Sequence, residues 1–327
     1  MNFSKRLKLP PRYALGPLEI SYIARCIFHY RRTGLDPGYD DYFENKYTES
    51  FSSFMGGGYT DAVSSGCSSI YIALKSLKLP RGSVVATSPV TDASVIGCLT
   101  SLGMVPYLID SKPNSYNSSL EQLEKRFNPA IRAFVLTHAG GVPCSDMSDI
   151  TSFCQHNNIH LIEDCSQAIG AYPEKSTQRV GTFGRFGCFS TMYRKNLSVS
   201  GSSGLVFSTN YDDLRVAKQH ADRGKRWWDK SSVDLRDPGF ADFPGLNFNS
   251  DELRCAIGLA NLSRLPSTNA RRLIFLFKLV NYLESLSVTL FQPSELHNGI
   301  SPFYFPIFVD TTQTTASVLE ISEALKL

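Results

Sequence analysis

The chain has 327 residues, 42% hydrophobic and 19% charged, with 33 basic against 30 acidic side chains and a formal net charge of +3. That balance excludes a disordered polymer and allows a sizeable core. Both charge signs are spread along the whole length, without the one-faced basic cluster of a nucleic-acid footprint, and no apolar run nears the roughly 20 residues of a membrane span.

The opening MNFSKRLKLPPRYALG breaks any apolar signal core with Lys and Pro, so the chain reads as cytoplasmic. Eight cysteines (Cys26, Cys67, Cys98, Cys144, Cys154, Cys165, Cys188, Cys255) are scattered, mostly in apolar stretches, with no CxxC and no His at zinc spacing. They are expected to be buried free thiols, and no metal is expected.

From about residue 60, short apolar β-branched runs alternate with longer helical patterns. The spacing predicts strands over Thr60–Ser64, Val84–Thr87, Val105–Ile109, Ala133–Thr137 and Ile159–Glu163, with helices over Ser68–Leu77, Ala93–Leu102, Leu120–Phe127 and Met147–His156. Continuous apolar strands joined by such helices make βαβ units and an α/β core, a mainly parallel sheet covered on both faces. After about Tyr211, helical segments with paired charges and the Trp227–Trp228 stretch replace the alternation. Asp251–Leu265 then reads as a helix capped by Asn249–Ser250, Phe303–Val309 as a strand, and the residues from near Thr315 to Leu327 as a helix in which the chain ends. The division is a large α/β domain over 1–239, with an N-terminal arm, and a smaller C-terminal domain over 240–327. There is no internal repeat.

In an open α/β sheet, ligands sit beyond the carboxyl ends of the strands. The first predicted strand runs into Ser64-Ser65-Gly66-Cys67-Ser68, a strand-to-helix turn of small residues that reads either as an ordinary N-cap or as a phosphate cradle at a positive helix end. The strand Ile159–Glu163 ends in Glu163-Asp164, and a carboxylate buried at a strand tip needs a partner: a protonated ring nitrogen, a helix cap or a metal. Lys195 lies in FSTMYRKNLSVSGSSG behind the strand-like Gly187–Ser190. A solvated surface charge is the ordinary reading of a lysine; a Schiff-base lysine needs partial desolvation near other positive charge, here Arg194 or a pyridinium. Cradle, strand-tip acid and lysine, in that order, supply the contacts that pyridoxal phosphate requires.

Four segments make the pattern specific: AVSSGCSSIYIAL (62–74), LIEDCSQAIGA (161–171), VGTFGRFGCFSTMYRKNL (180–197) and GLNFNSDELRCAIGLANL (245–262). With them the chain resembles the DegT/DnrJ/EryC1/StrS sugar aminotransferases, pyridoxal-phosphate enzymes of the aspartate aminotransferase fold (fold type I), from about Leu15 onward. The resemblance implies that Lys195 bonds the cofactor, that Asp164 pairs with its ring nitrogen and that Gln167 lies beside the ring. It further implies that Gly66, Cys67 and Ser190 hold the phosphate, that Asn247 contributes from a second copy in a homodimer with shared sites, and that His138, in LTHAGG, lies near substrate.

Two departures accompany it. Asp92, in SPVTDAS, stands among the cofactor-binding positions where the family commonly places a stacking aromatic, and Ser200-Gly201-Ser202-Ser203-Gly204 replaces the family's GEGG turn. The chain is also shorter than the family's usual length, so the small C-terminal domain is expected to be incomplete. The activity implied is amino transfer from glutamate or glutamine to a keto-sugar, nucleotide-linked, for surface polysaccharide or lipopolysaccharide synthesis. Two alternatives are a sugar dehydratase of the same family, in which histidine tends to replace the lysine, and a non-catalytic cofactor-binding or regulatory protein.

Overall fold

The computed structural model describes residues 15–113, 115–226, 240–285, 291–292, 296–305, 308–309, 312 and 314–324. Most of the opening segment, Trp227–Trp228, Pro306–Ile307 and Leu325–Leu327 lie outside the described residues. In chain order the elements are α1 (Pro17–Thr33), α2 (Tyr42–Met55), β1 (Tyr59–Val63), α3 (Gly66–Ser76), β2 (Val84–Thr87), α4 (Ala93–Ser101), β3 (Val105–Leu108) and α5 (Leu120–Lys125). There follow β4 (Ile131–Thr137), α6 (Met147–His156), β5 (His160–Asp164), β6 (Phe186–Ser190), β7 (Gly204–Ser208), α7 (Tyr211–Ala221), α8 (Glu252–Ser285), β8 (Phe291–Gln292), β9 (Phe308–Val309) and α9 (Val318–Ala324).

Seven strands form one sheet in the order β1-β7-β6-β5-β4-β2-β3. The pairs β2·β3, β2·β4, β4·β5 and β5·β6 are parallel, whereas β7 runs antiparallel to both β1 and β6. The predicted α/β sheet is therefore present, with one reversed strand that the Ser/Gly-rich sequence before it had hidden. Successive side chains alternate between the faces. Phe189, Leu205 and Phe207 enter a core with Tyr47, Phe51 and Cys255, while Phe186, Cys188 and Val206 enter another with Ile70, Val85 and Val95. A third core joins Phe134, Leu136 and Leu161 to Leu123, Ile150 and Cys154 beneath α5 and α6.

The N-terminal arm holds two helices that the alternation did not predict. In α2, Phe43, Tyr47, Phe51 and Met55 are buried at four-residue intervals, one helical face. The first helix obeys no such pattern: α1 turns Glu19, Cys26 and Tyr30 inward and leaves Ile20, Ile27 and Phe28 exposed. Its buried Glu19 accepts from the Gly16 amide at 2.7 Å and pairs with Arg264 at 2.6 Å.

The predicted helix beginning near Asp251 is real but longer, running through Pro266 to Ser285. A proline removes one intrahelical donor; here packing outweighs that loss. Cys255, Ala256, Leu262 and Leu265 sit in the core with Cys26 and Tyr47, and Leu276 and Val280 pack with Val142 and Ile300 further along. The cap is Asp251, whose Oδ1 accepts from the Arg254 amide at 2.9 Å, rather than Asn249–Ser250. Among the described residues of the predicted tail strand, Phe308–Val309 is extended and pairs with β8, while Phe303 instead donates its amide to the Gly140 carbonyl at 2.9 Å. Among the described residues no helix is long and apolar enough to cross a membrane.

The arm is fixed to α8 by Glu252, which is buried. Its carboxylate accepts from the Tyr30 hydroxyl at 2.7 Å and from the amides of Phe43 and Glu44 at 2.8 and 2.9 Å, so it caps α2 from a distant part of the chain. Glu252→Ala strands these donors and is expected to lower the unfolding free energy by about 3 kcal/mol, read as a shifted urea midpoint; an unchanged midpoint would contradict this anchoring.

Candidate active site

The site lies where β1, β5 and β6 end. After β1, Ser65 caps α3: its Oγ accepts from the Ser68 amide at 2.9 Å, and Ser68 Oγ accepts from the Ser65 amide at 2.8 Å. By helix geometry the amides of Gly66 and Cys67 have no intrahelical acceptor and face outward at the positive end of the helix. Gly66 is required by close approach, since a Cβ there would stand 2.6 Å from Ser190 Cβ. Gly204 is required from the other side, because its Cβ would collide with the Ser65 carbonyl. The Ser/Gly turn ties this corner down: Ser202 donates to the Ser64 carbonyl at 2.9 Å, and Ser203 to that of Val63 at 2.8 Å. Gly66, Cys67 and Ser190 are thus brought together.

At the tip of β5 two carboxyls point to opposite faces. Glu163 accepts from the amides of Gly181, Phe183 and Gly184 at 2.7, 2.8 and 2.7 Å and meets His138 Nε2 at 3.1 Å. His138 Nδ1 accepts from the Cys144 amide at 3.1 Å, so the ring proton sits on Nε2 and is donated to Glu163. Both ring nitrogens are occupied and the side chain is fully buried. Both ring nitrogens are therefore spent on the scaffold, with Glu163 and the Cys144 amide as their partners. Cys165 joins this pair in a tight buried cluster, but the carboxylate oxygens are already taken up by backbone donors.

Asp164, also buried, faces the α3 side. Its Oδ1 accepts from the Ser166 amide at 3.0 Å. Burial pushes its pKa up, and the Ser166 hydrogen bonds and then the Lys195 charge pull only partly in the other direction. Such a carboxyl ionises readily once a cation lies against it. Lys195 is half-buried in the turn after β6, with its amide donating to the Met192 carbonyl at 2.9 Å. Its Nζ lies 4.5 Å from the centre of the Phe303 ring. Arg194, by contrast, lies over the exposed Tyr193.

Gln167 Oε1 accepts from the Gly140 amide at 2.7 Å, joining the loops that follow β5 and β4. Asp92 is the N-cap of α4, accepting from the Ser94 amide at 2.9 Å; those bonds first, and then the Lys195 charge, hold its carboxyl below the usual range. Its place is thus explained by capping, within electrostatic reach of Lys195. Asn247 is exposed, its Oδ1 taking up the Asn249 amide at 3.1 Å.

Sequence reasoning missed Phe303. The segment carrying it is held by Arg272 of α8, whose Nε and Nη2 donate to the carbonyls of Pro302 and Phe303 at 2.5 and 2.9 Å, and by Asn196 Nδ2, which donates to Ser301 Oγ at 3.0 Å. No local pattern announces this contact; the one signal was an apolar aromatic following Ser-Pro.

The chain matches the model of the DegT/DnrJ/EryC1/StrS aminotransferase family over residues 41–326, and it belongs to that family. It is 33% identical over 199 residues to Protein MosB of Rhizobium meliloti, a match covering 61% of this chain and 38% of that protein. It is 28% identical over 208 residues to the UDP-N-acetyl-3-dehydro-alpha-D-glucosamine 3-aminotransferase of Acidithiobacillus ferrooxidans, covering 64% of this chain and 53% of the other. The chain thus spans about half or less of these relatives' lengths. Among solved structures, the E. coli GDP-4-keto-6-deoxy-D-mannose-3-dehydratase with bound hydrated PLP superposes with a TM-score of 0.81 at 19% identity, covering 97% of this chain and 82% of that one, a shared fold. The fold is that of the fold type I pyridoxal-phosphate enzymes.

If His138 is scaffold, His138→Ala leaves Glu163 without its ring partner and Cys144 without its acceptor, and should cost about 3 kcal/mol of unfolding free energy in urea titration. Unchanged stability would return the histidine to a substrate role.

Proposed function

We propose that this family member is a pyridoxal-phosphate-dependent aminotransferase that moves an amino group from glutamate or glutamine to the carbonyl of a nucleotide-linked keto-sugar, working as a homodimer. The observation that carries the reading is the convergence of Lys195, the buried Asp164 and the Gly66–Ser190 corner at one end of the sheet. The residues fit the cofactor: a Cβ at Gly66 would close the corner beneath the amides that would hold its phosphate, and Asp164 is a buried carboxyl in need of a cation such as a protonated ring nitrogen. When bound, the cofactor supplies an electrophilic aldehyde and an electron-withdrawing ring.

The chain's own residues do the rest. Asp164 would hold the proton of the ring nitrogen, and Gln167, fixed by Gly140, would lie beside the ring. Lys195 Nζ would be the amine that holds the cofactor and the base that takes the proton from the donor's α-carbon. Phe303 covers one side of that amine and keeps water from it there. The same Lys195 Nζ would return a proton toward the keto-sugar in the second half of the reaction.

Retention of lysine at 195 supports amino transfer over dehydration, because the proton-moving amine is kept. The keto-sugar and its nucleotide are proposed from the relatives, one of which is by name an aminotransferase of a UDP-linked dehydro-sugar. The exposed Asn247 supports a homodimer, since its side chain faces outward and can serve the site of a second copy. Surface polysaccharide or lipopolysaccharide synthesis is the setting proposed for the product.

Purified protein loaded with pyridoxal phosphate should be yellow and bleach when glutamate is added; colour that no amino donor bleaches would contradict the reading. Lys195→Ala should retain cofactor affinity and lose at least about 10³-fold in turnover. Asp164→Ala should lose both affinity and turnover, and near-normal kinetics in this variant would remove the ring-nitrogen assignment.

A further inference from the structure

Of the eight free cysteines, seven are buried and Cys67 alone is exposed. Its sulfur lies 3.6 Å from that of Cys98, and the Cys98 thiol points at Cys67 closely enough to donate to its backbone carbonyl at 3.4 Å. The two residues belong to different helices that both reach the site: Cys67 is in the first turn of α3, beside Gly66, and Cys98 is in α4, the helix that Asp92 caps.

We propose that Cys67 and Cys98 are a thiol–disulfide pair whose oxidation disables the phosphate-holding corner and whose reduction restores it. This rests on the assignment of that corner to the cofactor's phosphate. The sulfurs need to approach by only about 1.5 Å to reach the ~2.05 Å of a disulfide bond. The strain of closing falls on one side. Cys98 is 3% exposed and sits beside Leu99 in the core packed against the sheet, so it cannot move out to meet its partner. Gly66 packs so closely on β6 that a Cβ there would stand 2.6 Å from Ser190 Cβ, so the corner has little slack. Closure draws the first turn of α3 toward α4, and the amides of Gly66 and Cys67 move with it.

The chemistry balances with one external two-electron oxidant. The two thiols give up two electrons and two protons, forming one S–S bond. Hydrogen peroxide leaves as two molecules of water, and an azo oxidant such as diamide leaves as the hydrazine. Exposure makes Cys67 the sulfur that an oxidant meets first. Burial, followed by the nearby Cys67, pushes the Cys98 thiol pKa up, so Cys98 acts as the protonated second partner. Cofactor bound first stabilises the open corner and makes the pair harder to oxidise, by reciprocity of linked equilibria.

The test treats cofactor-free protein with diamide, maps disulfides by non-reducing peptide mass spectrometry, and titrates the oxidised protein and its dithiothreitol-reduced, desalted counterpart with pyridoxal phosphate. The expected result is a Cys67–Cys98 peptide and at least a tenfold weaker affinity that reduction restores, with Cys98→Ser, or Cys98→Ala if the serine variant folds poorly, keeping its affinity through the same treatment. Absence of that peptide, or oxidised protein binding within twofold of reduced, overturns the proposal. Failure of the reduced protein to bind pyridoxal phosphate at all would instead overturn the cofactor assignment, and with it the control of that site, even where the disulfide forms.

Discussion

The carboxylate of Glu163 is the constraint around which the site is arranged. Buried with no water to solvate it, it gathers three amides from the 181–184 turn and the ring of His138 from the end of β4. A charge so placed costs several kcal/mol unless every lone pair is met, so the turn before β6 and the exit of β4 have little freedom. The next residue, Asp164, inherits that rigidity and points the other way, toward α3. One carboxyl of the pair is consumed in holding the scaffold, and the other, with the Ser166 contacts and the Lys195 charge, is only partly compensated. That inequality is why Asp164 is the one proposed to take the cofactor.

The corner at Gly66 follows a second constraint, steric and not electrostatic. Gly66 and Gly204 let α3, β6 and β7 approach more closely than any side chain allows, and the hydroxyls of Ser202 and Ser203 tie the turn after Lys195 to the end of β1. The Ser/Gly stretch that departs from the family's usual turn is thus a set of hydrogen-bond donors to the end of β1, just before α3. Lys195 is positioned between these two constraints, beneath the Phe303 ring, whose placement depends on Arg272 and Asn196.

Much of this was legible in the sequence, and the reasons differ by element. Strands β2, β4 and β5 announced themselves as apolar runs between helices because they are buried on both faces, and the half-exposed β1 and β3 followed from the same spacing. Strand β7 was equally apolar but followed a Ser/Gly turn and ran antiparallel, outside the βαβ rhythm. In α1 the pattern was inverted, with Glu19 inside and Phe28 outside, because an ion pair to Arg264 stands in for apolar burial. The helix read over Asp251–Leu265 runs on past Pro266 because packing is distributed along α8. Lys195, Asp164, Gly66 and Ser190 could be gathered from the sequence because each lies at or just after a strand end. The place of His138 could not, because local sequence carries no sign of which carboxylate its ring faces. Phe303 was invisible since its position is set wholly by tertiary contacts.

The central claim is that Lys195, in the field of Asp164, is the amine that takes the cofactor. Borohydride treatment of the protein incubated with pyridoxal phosphate, followed by peptide mass spectrometry, tests it directly. A phosphopyridoxyl group on the peptide containing Lys195, and on no other lysine at stoichiometric yield, is the result predicted. A label on a different lysine, or none, would contradict the account.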